Sequence, residues 1–247
     1  MSSKPILEFR VFRYGMFSLT TLINVIITMA LYAAMILLPI YLQNLRGFSP
    51  LESGLLLMPG AILMGIMSPV TGIIFDKIGA RWLAVIGLII TTVTTWQFSQ
   101  LTLDTSYTHL IIVYTIRMFG MSMLMMPIQT AGLNQLPASL NAHGTAMSNT
   151  LRTIAGAMGT ALLLTVMTTD TKGQLASLIQ QAGINPSDPA SAGQIAEFTR
   201  TATLQGIDHA FVIATVITVV ALVLSFFIRK VNVNRQEQGM TKASLSQ

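Results

Sequence analysis

The stretch GIIFDKIGAR, Gly72 to Arg81, lies between two long apolar runs and carries the charges of Asp76, Lys77 and Arg81. Only 9% of the 247 residues are charged, so a charged stretch between apolar segments is a local exception. Gly79 allows a tight turn there, because glycine adopts backbone conformations that other residues avoid. The stretch therefore predicts two helices that meet at a membrane surface with few residues between them.

The composition of the whole chain supports this interpretation. Apolar residues make up 52% of the sequence and the mean hydropathy is +0.66, which is too apolar for a soluble domain of this length. Cysteine is absent and the three histidines are scattered, so the sequence predicts no metal site and no cofactor. The sequence also lacks a phosphate-binding loop and a nucleophile spaced to work with a general base. We therefore do not expect the protein to be an enzyme.

The apolar runs divide into six segments, each about as long as the roughly 20 residues that cross a bilayer as a helix. Helices are expected because a backbone in lipid must satisfy its own hydrogen bonds. The predicted fold class is an all-α membrane protein with six transmembrane helices in one bundle. The predicted spans are Met16–Leu42, Leu51–Phe75, Trp82–Leu101, His109–Leu133, Thr145–Thr168 and Ala210–Ile228.

The distribution of lysine and arginine predicts the orientation of the bundle. With the N-terminus in the cytoplasm, ten basic residues, Arg152 among them, fall in inner segments and three in outer segments. Both termini are then cytoplasmic, and the net charge of +5 is a topology signal that does not indicate nucleic-acid binding. The predicted divisions are a cytoplasmic segment 1–15, a bundle 16–230 with an outer loop at about 170–208, and a disordered cytoplasmic tail 231–247. Both flanks of the outer loop have helical periodicity.

The pattern G-x3-D-x2-G-x-R in the opening stretch resembles the signature loop between the second and third helices of a major facilitator superfamily bundle. The resemblance implies that Gly72, Asp76, Gly79 and Arg81 form a cytoplasmic gate motif, in which Asp76 and Arg81 act as a latch. From spacing alone, a tight turn with a solvated ion pair, which stabilises little, is an equally open interpretation.

Other stretches extend the resemblance from about Leu7 to Arg229. They are LEFRVFRYGMFSL at the start, RMFGMSMLMMP (Arg117–Pro127) and GTAMSNTLRTIAGAMGTA (Gly144–Ala161). Together they look like the carboxy-terminal half of the fourteen-span drug:proton antiporters of the EmrB/QacA type, in particular the lincomycin-resistance efflux proteins of Gram-positive bacteria. The resemblance implies a multidrug efflux transporter of the bacterial cell membrane. Since that family has two six-helix bundles, the chain is expected to be a fragment, a split-gene product or a truncated copy.

The ionisable residues bear on proton coupling, which needs a titratable group in the transport pathway. All nine carboxylates fall in predicted loops or at helix ends. If the complete machine is an antiporter, the proton-carrying carboxylate is therefore expected in the missing half. The expected partners are amphipathic drug-like molecules, protons, an amino-terminal six-helix bundle and the lipid bilayer.

Arg117 is the sole charge predicted to lie inside the membrane, where an arginine costs at least a few kcal/mol without a partner. One interpretation places it in the transport pathway. The other gives it a structural role, in which it hydrogen-bonds helix carbonyls and fixes the packing. Both remain open.

Polar and methionine stripes at helical spacing suggest which helix faces line a cavity. They equally fit helix–helix hydrogen bonds, and Gly156 and Gly159 favour close helix packing. The tentative substrate-cavity residues are Asn24, Thr28, Tyr32, Arg117, Met121, Met125, Gln129 and Asn149.

Two rival functions remain. A half-size transporter acting as a homodimer would need a mid-membrane carboxylate of its own for proton coupling. A non-transporting membrane subunit would instead regulate a full transporter. In either case a polar cavity face would need a partner.

Overall fold

The computed structural model describes residues 8–185 and 191–228 of the chain. Within these ranges it has six helices that are long and apolar enough to cross a membrane, which confirms the predicted all-α architecture. The helices are α1 (Gly15–Ile40), α2 (Pro50–Ile78), α3 (Ala80–Gln97), α4 (Tyr107–Leu133), α5 (Asn141–Ala182) and α6 (Ala192–Ser225). The predicted tail 231–247 lies outside the described residues.

The helices form one bundle in which α4 is central. It packs along α2 and α3 and also touches α1, whereas α5 packs on α1 and α6. The coverage is uneven: 56% of the most apolar window of α4 is buried, against 11% for α2 and 28% for α5. The bundle therefore leaves α2 and α5 with large uncovered faces.

Local sequence explains where α2 begins and ends. Ser49 caps its first turn, since the Ser49 hydroxyl accepts a hydrogen bond from the Glu52 amide while the Glu52 carboxylate accepts one from the Ser49 amide. At the other end Gly79 has a backbone φ angle of 81°, which residues other than glycine rarely adopt. The next residue already begins α3, and this confirms the tight turn.

Close helix approach is visible at the glycines. A Cβ atom added to Gly159 would lie 2.6 Å from the Cα atom of Met29, and one added to Gly87 would lie 2.8 Å from the Gly120 carbonyl oxygen. The close packing expected at Gly156 is also present, because its surface is covered by the ring of Tyr32. Small residues at these crossings let the helix backbones approach each other closely. Such packing matters in lipid, because the hydrophobic effect does not drive helices together there.

Helices extend into the predicted outer loop at about 170–208, as the helical periodicity of its flanks indicates. Both α5 and α6 continue as helices beyond the predicted spans Thr145–Thr168 and Ala210–Ile228. The 42 residues of α5 make a helix about 63 Å long at 1.5 Å per residue, about twice the bilayer core. Polar composition ends a membrane span, but it does not end a helix whose neighbour runs beside it.

Contacts at the outer end hold these extensions. His209 and Asp170 lie 2.9 Å apart between a ring nitrogen and a carboxylate oxygen, which ties α6 to α5. The Arg200 guanidinium donates to the Leu45 carbonyl at 2.7 Å, which ties α6 to the end of the first span. The outer extensions of α5 and α6 therefore form a helical hairpin fixed to the bundle.

We expect Gly159→Ala to lower the free energy of unfolding by about 1–3 kcal/mol, because the new methyl group would overlap the backbone at Met29. The matched control is Gly65→Ala in α2, where an added Cβ has nothing within 4 Å. Denaturant titration of both variants in micelles, followed by circular dichroism, measures the difference. Equal stability of the two variants would show that the α1–α5 contact is not tight.

Candidate functional site

The turn between α2 and α3 holds the residues of the predicted gate motif. Asp76 lies in the last turn of α2 and Arg81 in the first turn of α3, and both are exposed. The structure forms no ion pair between them; the described residues contain only the pairs Arg10–Glu8 and His209–Asp170. The expected Asp76–Arg81 pairing is therefore absent here, because Asp76 belongs to the helix before the turn rather than to the entry of α3.

Gly72, the first residue of the motif, has no tight contact with a neighbouring helix. A Cβ atom added there would lie 3.8 Å from the sulfur of Met126, which is ordinary van der Waals contact. Packing between α2 and α4 thus does not require glycine at this position. Gly79 alone within the motif is needed for backbone reasons, since its φ is positive.

Arg117 is fully buried where α1, α3 and α4 meet. Its Nη2 donates to the Ala30 carbonyl at 2.7 Å, and its Nε donates to the Thr95 hydroxyl at 3.4 Å. These contacts are those of the structural interpretation, in which the arginine bonds a helix carbonyl. The remaining nitrogen, Nη1, is buried and has no hydrogen-bond partner.

The polar stripe on α1 divides into a buried part and an accessible part. Asn24 and Thr28 are buried inside the bundle, and the Thr28 hydroxyl donates to the Asn24 carbonyl at 2.7 Å. Tyr32 is 39% exposed and covers Gly156 on α5. Asn24 and Thr28 thus face other helices in this structure, while Tyr32 borders the uncovered side.

A second group of predicted residues meets an arginine that the sequence had assigned to a cytoplasmic segment. Arg152 is the twelfth residue of α5, and its Nη1 lies 3.4 Å from the Gln129 amide oxygen. Its Nη2 lies 3.9 Å from the sulfur of Met125. We call Met125, Gln129 and Arg152 the Arg152 cluster.

The cluster leaves part of the guanidinium unsatisfied, because Arg152 Nε is buried and lacks a hydrogen-bond partner. Asn149, nearly one turn earlier on α5, is exposed beside it, whereas Met121 is fully buried in the core and does not join the cluster. A signal in the sequence was available: Arg152 lies inside the predicted span that begins at Thr145.

Asp208 was also placed in the outer loop by the sequence, and the structure makes it the seventeenth residue of α6. The Leu101 backbone hydrogen-bonds to its carboxylate, and its Oδ1 is buried without a partner. This carboxylate therefore lies beside Leu101, in the connection that follows α3.

The arrangement suits binding and movement rather than bond-making. Two guanidinium groups lie within helices, and each retains one unpartnered nitrogen. Arg117 contacts a backbone carbonyl and a hydroxyl group, whereas Arg152 contacts an amide oxygen and a thioether. Cationic donors of this kind attract a carboxylate or another anion, and the polarizable Met125 adapts to apolar ligands. Within the described residues no group of three or more histidine or carboxylate side chains is placed to hold a metal ion.

Comparison with known proteins gives matches along nearly the whole chain. The family model described as Major Facilitator Superfamily matches residues 2–160. An uncharacterized MFS-type transporter of Bacillus subtilis, YhcA, is 52% identical over 92% of this chain and 47% of its own length. The lincomycin resistance protein LmrB of Bacillus subtilis is 41% identical over 94% of this chain and 46% of its own length. The chain thus spans about half the length of these curated relatives.

A solved structure shares the fold. It is a bacterial homologue of the human lysosomal transporter Spinster, in an inward-facing and unoccupied conformation. The TM-score is 0.62 at 18% identity, and the match covers 92% of this chain and 52% of that protein. At this identity the likeness shows the fold alone.

If Arg117 ties three helices, Arg117→Ala should lower the free energy of unfolding by about 2–4 kcal/mol through a cavity and lost hydrogen bonds. Arg81→Ala removes the same side chain from an exposed position and should change stability by less than about 0.5 kcal/mol. Detergent unfolding curves for both variants give the comparison. If Arg117→Ala is as stable as the wild type, Arg117 does not have a structural role in the packing of these helices.

Proposed function

The chain belongs to the Major Facilitator Superfamily, and on that premise we propose that it is the carboxy-terminal half of a multidrug efflux transporter. The complete protein would export amphipathic drugs by proton-coupled alternating access. The observation that carries this proposal is that the chain, with its six membrane-spanning helices, covers only about half the length of its relatives. The largely uncovered faces of α2 and α5 agree with a missing second half.

The side chains on the uncovered face of α5 support a pathway between two bundles. Asn149, Thr150 and Thr153 are all exposed, although they lie well inside a membrane-spanning helix. The two threonine hydroxyls donate to carbonyls of their own helix, at 2.9 Å and 3.1 Å. Polar side chains at membrane depth usually face a protein partner or a water-filled cavity. We therefore assign this face to the boundary with the amino-terminal bundle.

Alternating access would move the two bundles relative to each other around a site near the membrane midplane. In this proposal Tyr32, Asn149 and the Arg152 cluster border the pathway, since they lie on or beside the uncovered face. Met125 would adapt to varied apolar drugs and Gln129 would supply hydrogen bonds. Asn24, Thr28 and Met121 would become accessible only in another conformation of the bundle.

The proton-carrying carboxylate belongs, in this proposal, to the amino-terminal half. Glu52 and Asp76 lie at the two ends of α2, and the Asp208 carboxylate, in the middle of α6, accepts a hydrogen bond from the Leu101 backbone. None of these three carboxylates belongs to the Arg152 cluster. The protein is assigned to the bacterial cell membrane, with both termini in the cytoplasm. The basic residues at the end where α1, α3 and α5 begin support this orientation.

The size of the native polypeptide tests the proposal directly. An antibody raised against residues 232–247 should detect, in source membranes, a band at about twice the 26.7 kDa calculated for this chain. A band near 26.7 kDa, together with drug export by the purified chain in liposomes, would replace this proposal with the homodimeric transporter. The same band without transport would favour a non-transporting subunit.

In the complete protein, Asp76→Asn should abolish drug export while the protein level stays normal, because Arg81 would lose its negatively charged partner in the conformation that closes the gate. Lys77→Gln is the matched control, since Lys77 is an exposed neighbour on the same turn. Drug susceptibility and a membrane blot are measured together. Normal export by Asp76→Asn would leave the motif as a tight turn only.

Arg152→Gln should reduce export by about tenfold or more, because it removes the charge that faces the pathway, while Arg152→Lys should retain part of the activity. Lys172→Gln removes an exposed charge from the outer part of the same helix and should have little effect. Efflux rates over a series of drug concentrations test this. Equal rates for Arg152→Gln and Lys172→Gln would exclude Arg152 from the pathway.

A further inference from the structure

A short 3-10 helix, Phe9–Arg13, precedes α1 and is fixed to the bundle. Val11 is fully buried in a cluster with Phe17, Leu136 and Met147. The Ser18 hydroxyl donates to the Phe12 carbonyl at 2.8 Å, which ties the short helix to the first turn of α1. The two arginines of this helix, Arg10 and Arg13, therefore belong to an element that is packed against the bundle.

Beside this helix lies a pocket of about 690 Å³, which we call the Arg13 pocket. The side chains that matter for its chemistry are Glu8, Arg10, Arg13, Tyr14, Ser139 and His143. Arg10 is paired with Glu8 at 3.5 Å, whereas no carboxylate in residues 8–185 and 191–228 pairs with Arg13. The pocket thus combines an uncompensated guanidinium with the hydroxyl groups of Tyr14 and Ser139, all suited to an anionic oxygen ligand.

The ends of two long helices reinforce the positive character of the pocket. Tyr14 and Leu140 are the N-caps of α1 and α5, and neither makes a side-chain capping hydrogen bond. Both residues line the pocket. The N-terminus of a helix carries a partial positive charge and unsatisfied amide groups that favour anions.

The position of the pocket identifies the kind of anion. It lies where α1 enters the apolar run, which in the orientation proposed above is the level of the cytoplasmic lipid headgroups. Phe9, between the lining residues Glu8 and Arg10, is 71% exposed. An exposed aromatic ring at this depth contacts lipid, whereas a free anion from the cytoplasm would gain nothing from it. Basic pockets at this surface attract the headgroups of anionic lipids.

We propose that the Arg13 pocket binds the phosphate of an anionic phospholipid from the cytoplasmic leaflet, with Arg13 as its principal ligand and Phe9 against the lipid. The proposal uses the membrane orientation assigned above, but it does not depend on drug export. A bound lipid would fasten the short helix to the start of α5, because the pocket includes residues from both.

Native mass spectrometry of the purified full chain, released from micelles, tests the site. The probes are phosphatidylglycerol and phosphatidylcholine with identical acyl chains. We expect the wild type to retain phosphatidylglycerol in preference to phosphatidylcholine. Arg13→Gln should weaken phosphatidylglycerol binding about tenfold, which corresponds to about 1.4 kcal/mol, and Arg13→Lys should weaken it less, since the charge remains.

Lys77→Gln is the matched control, because it removes one exposed positive charge at the same end of the bundle but outside the pocket. Equal losses in Arg13→Gln and Lys77→Gln would overturn the proposal in favour of general surface charge. Equal retention of the two lipids by the wild type would also overturn it. Displacement of phosphatidylglycerol by inorganic phosphate at equal concentration would show a free-anion site instead.

Folding is checked by circular dichroism of each variant, and Ser139→Ala provides a second change within the pocket that keeps every charge. It should weaken phosphatidylglycerol binding by about threefold; unchanged binding in both Ser139→Ala and a folded Arg13→Gln would contradict the site. Since no transport is measured, these results stand apart from the drug-export proposal.

Discussion

The burial of the Arg117 guanidinium at the meeting point of α1, α3 and α4 constrains the centre of this bundle. A charge at membrane depth is costly, and the cost falls only where the surrounding helices bring acceptors to it. Here the acceptors are the Ala30 carbonyl on α1 and the Thr95 hydroxyl on α3. Those two helices therefore have to lie on either side of α4 at defined heights.

Close backbone approach makes this arrangement possible. Gly87 and Gly120 let α3 and α4 meet almost without side chains between them, and Gly159 does the same for α5 against α1. Lipid chains are as apolar as leucine, so the helices associate through packing and hydrogen bonds rather than through the exclusion of water. The uncovered faces of α2 and α5 show where such packing is incomplete within this chain.

The candidate site shows which of its residues can be predicted from a single sequence and which cannot. Met125 and Gln129 could be selected from their spacing on one helix, but their shared neighbour Arg152 comes from another helix and from a segment counted as cytoplasmic. Asn24 and Thr28 were selected by the same periodicity as Tyr32, yet they face the interior while Tyr32 borders the open side. Helical spacing predicts which residues share a face of a helix. It does not predict whether that face packs against another helix or stays exposed.

The sequence by itself determined the number of spans, the helical class and the tight turn at Gly79, because each depends on local properties. Transfer of about 20 apolar residues into lipid and the positive φ of one glycine need no distant contact. The tertiary structure alone decided that Arg117 bonds the Ala30 carbonyl on α1 and the Thr95 hydroxyl on α3, that Asp76 and Arg81 stay apart, and that the extensions of α5 and α6 pack together. These features depend on pairing between segments far apart in the chain, whose energies become defined only when the helices pack.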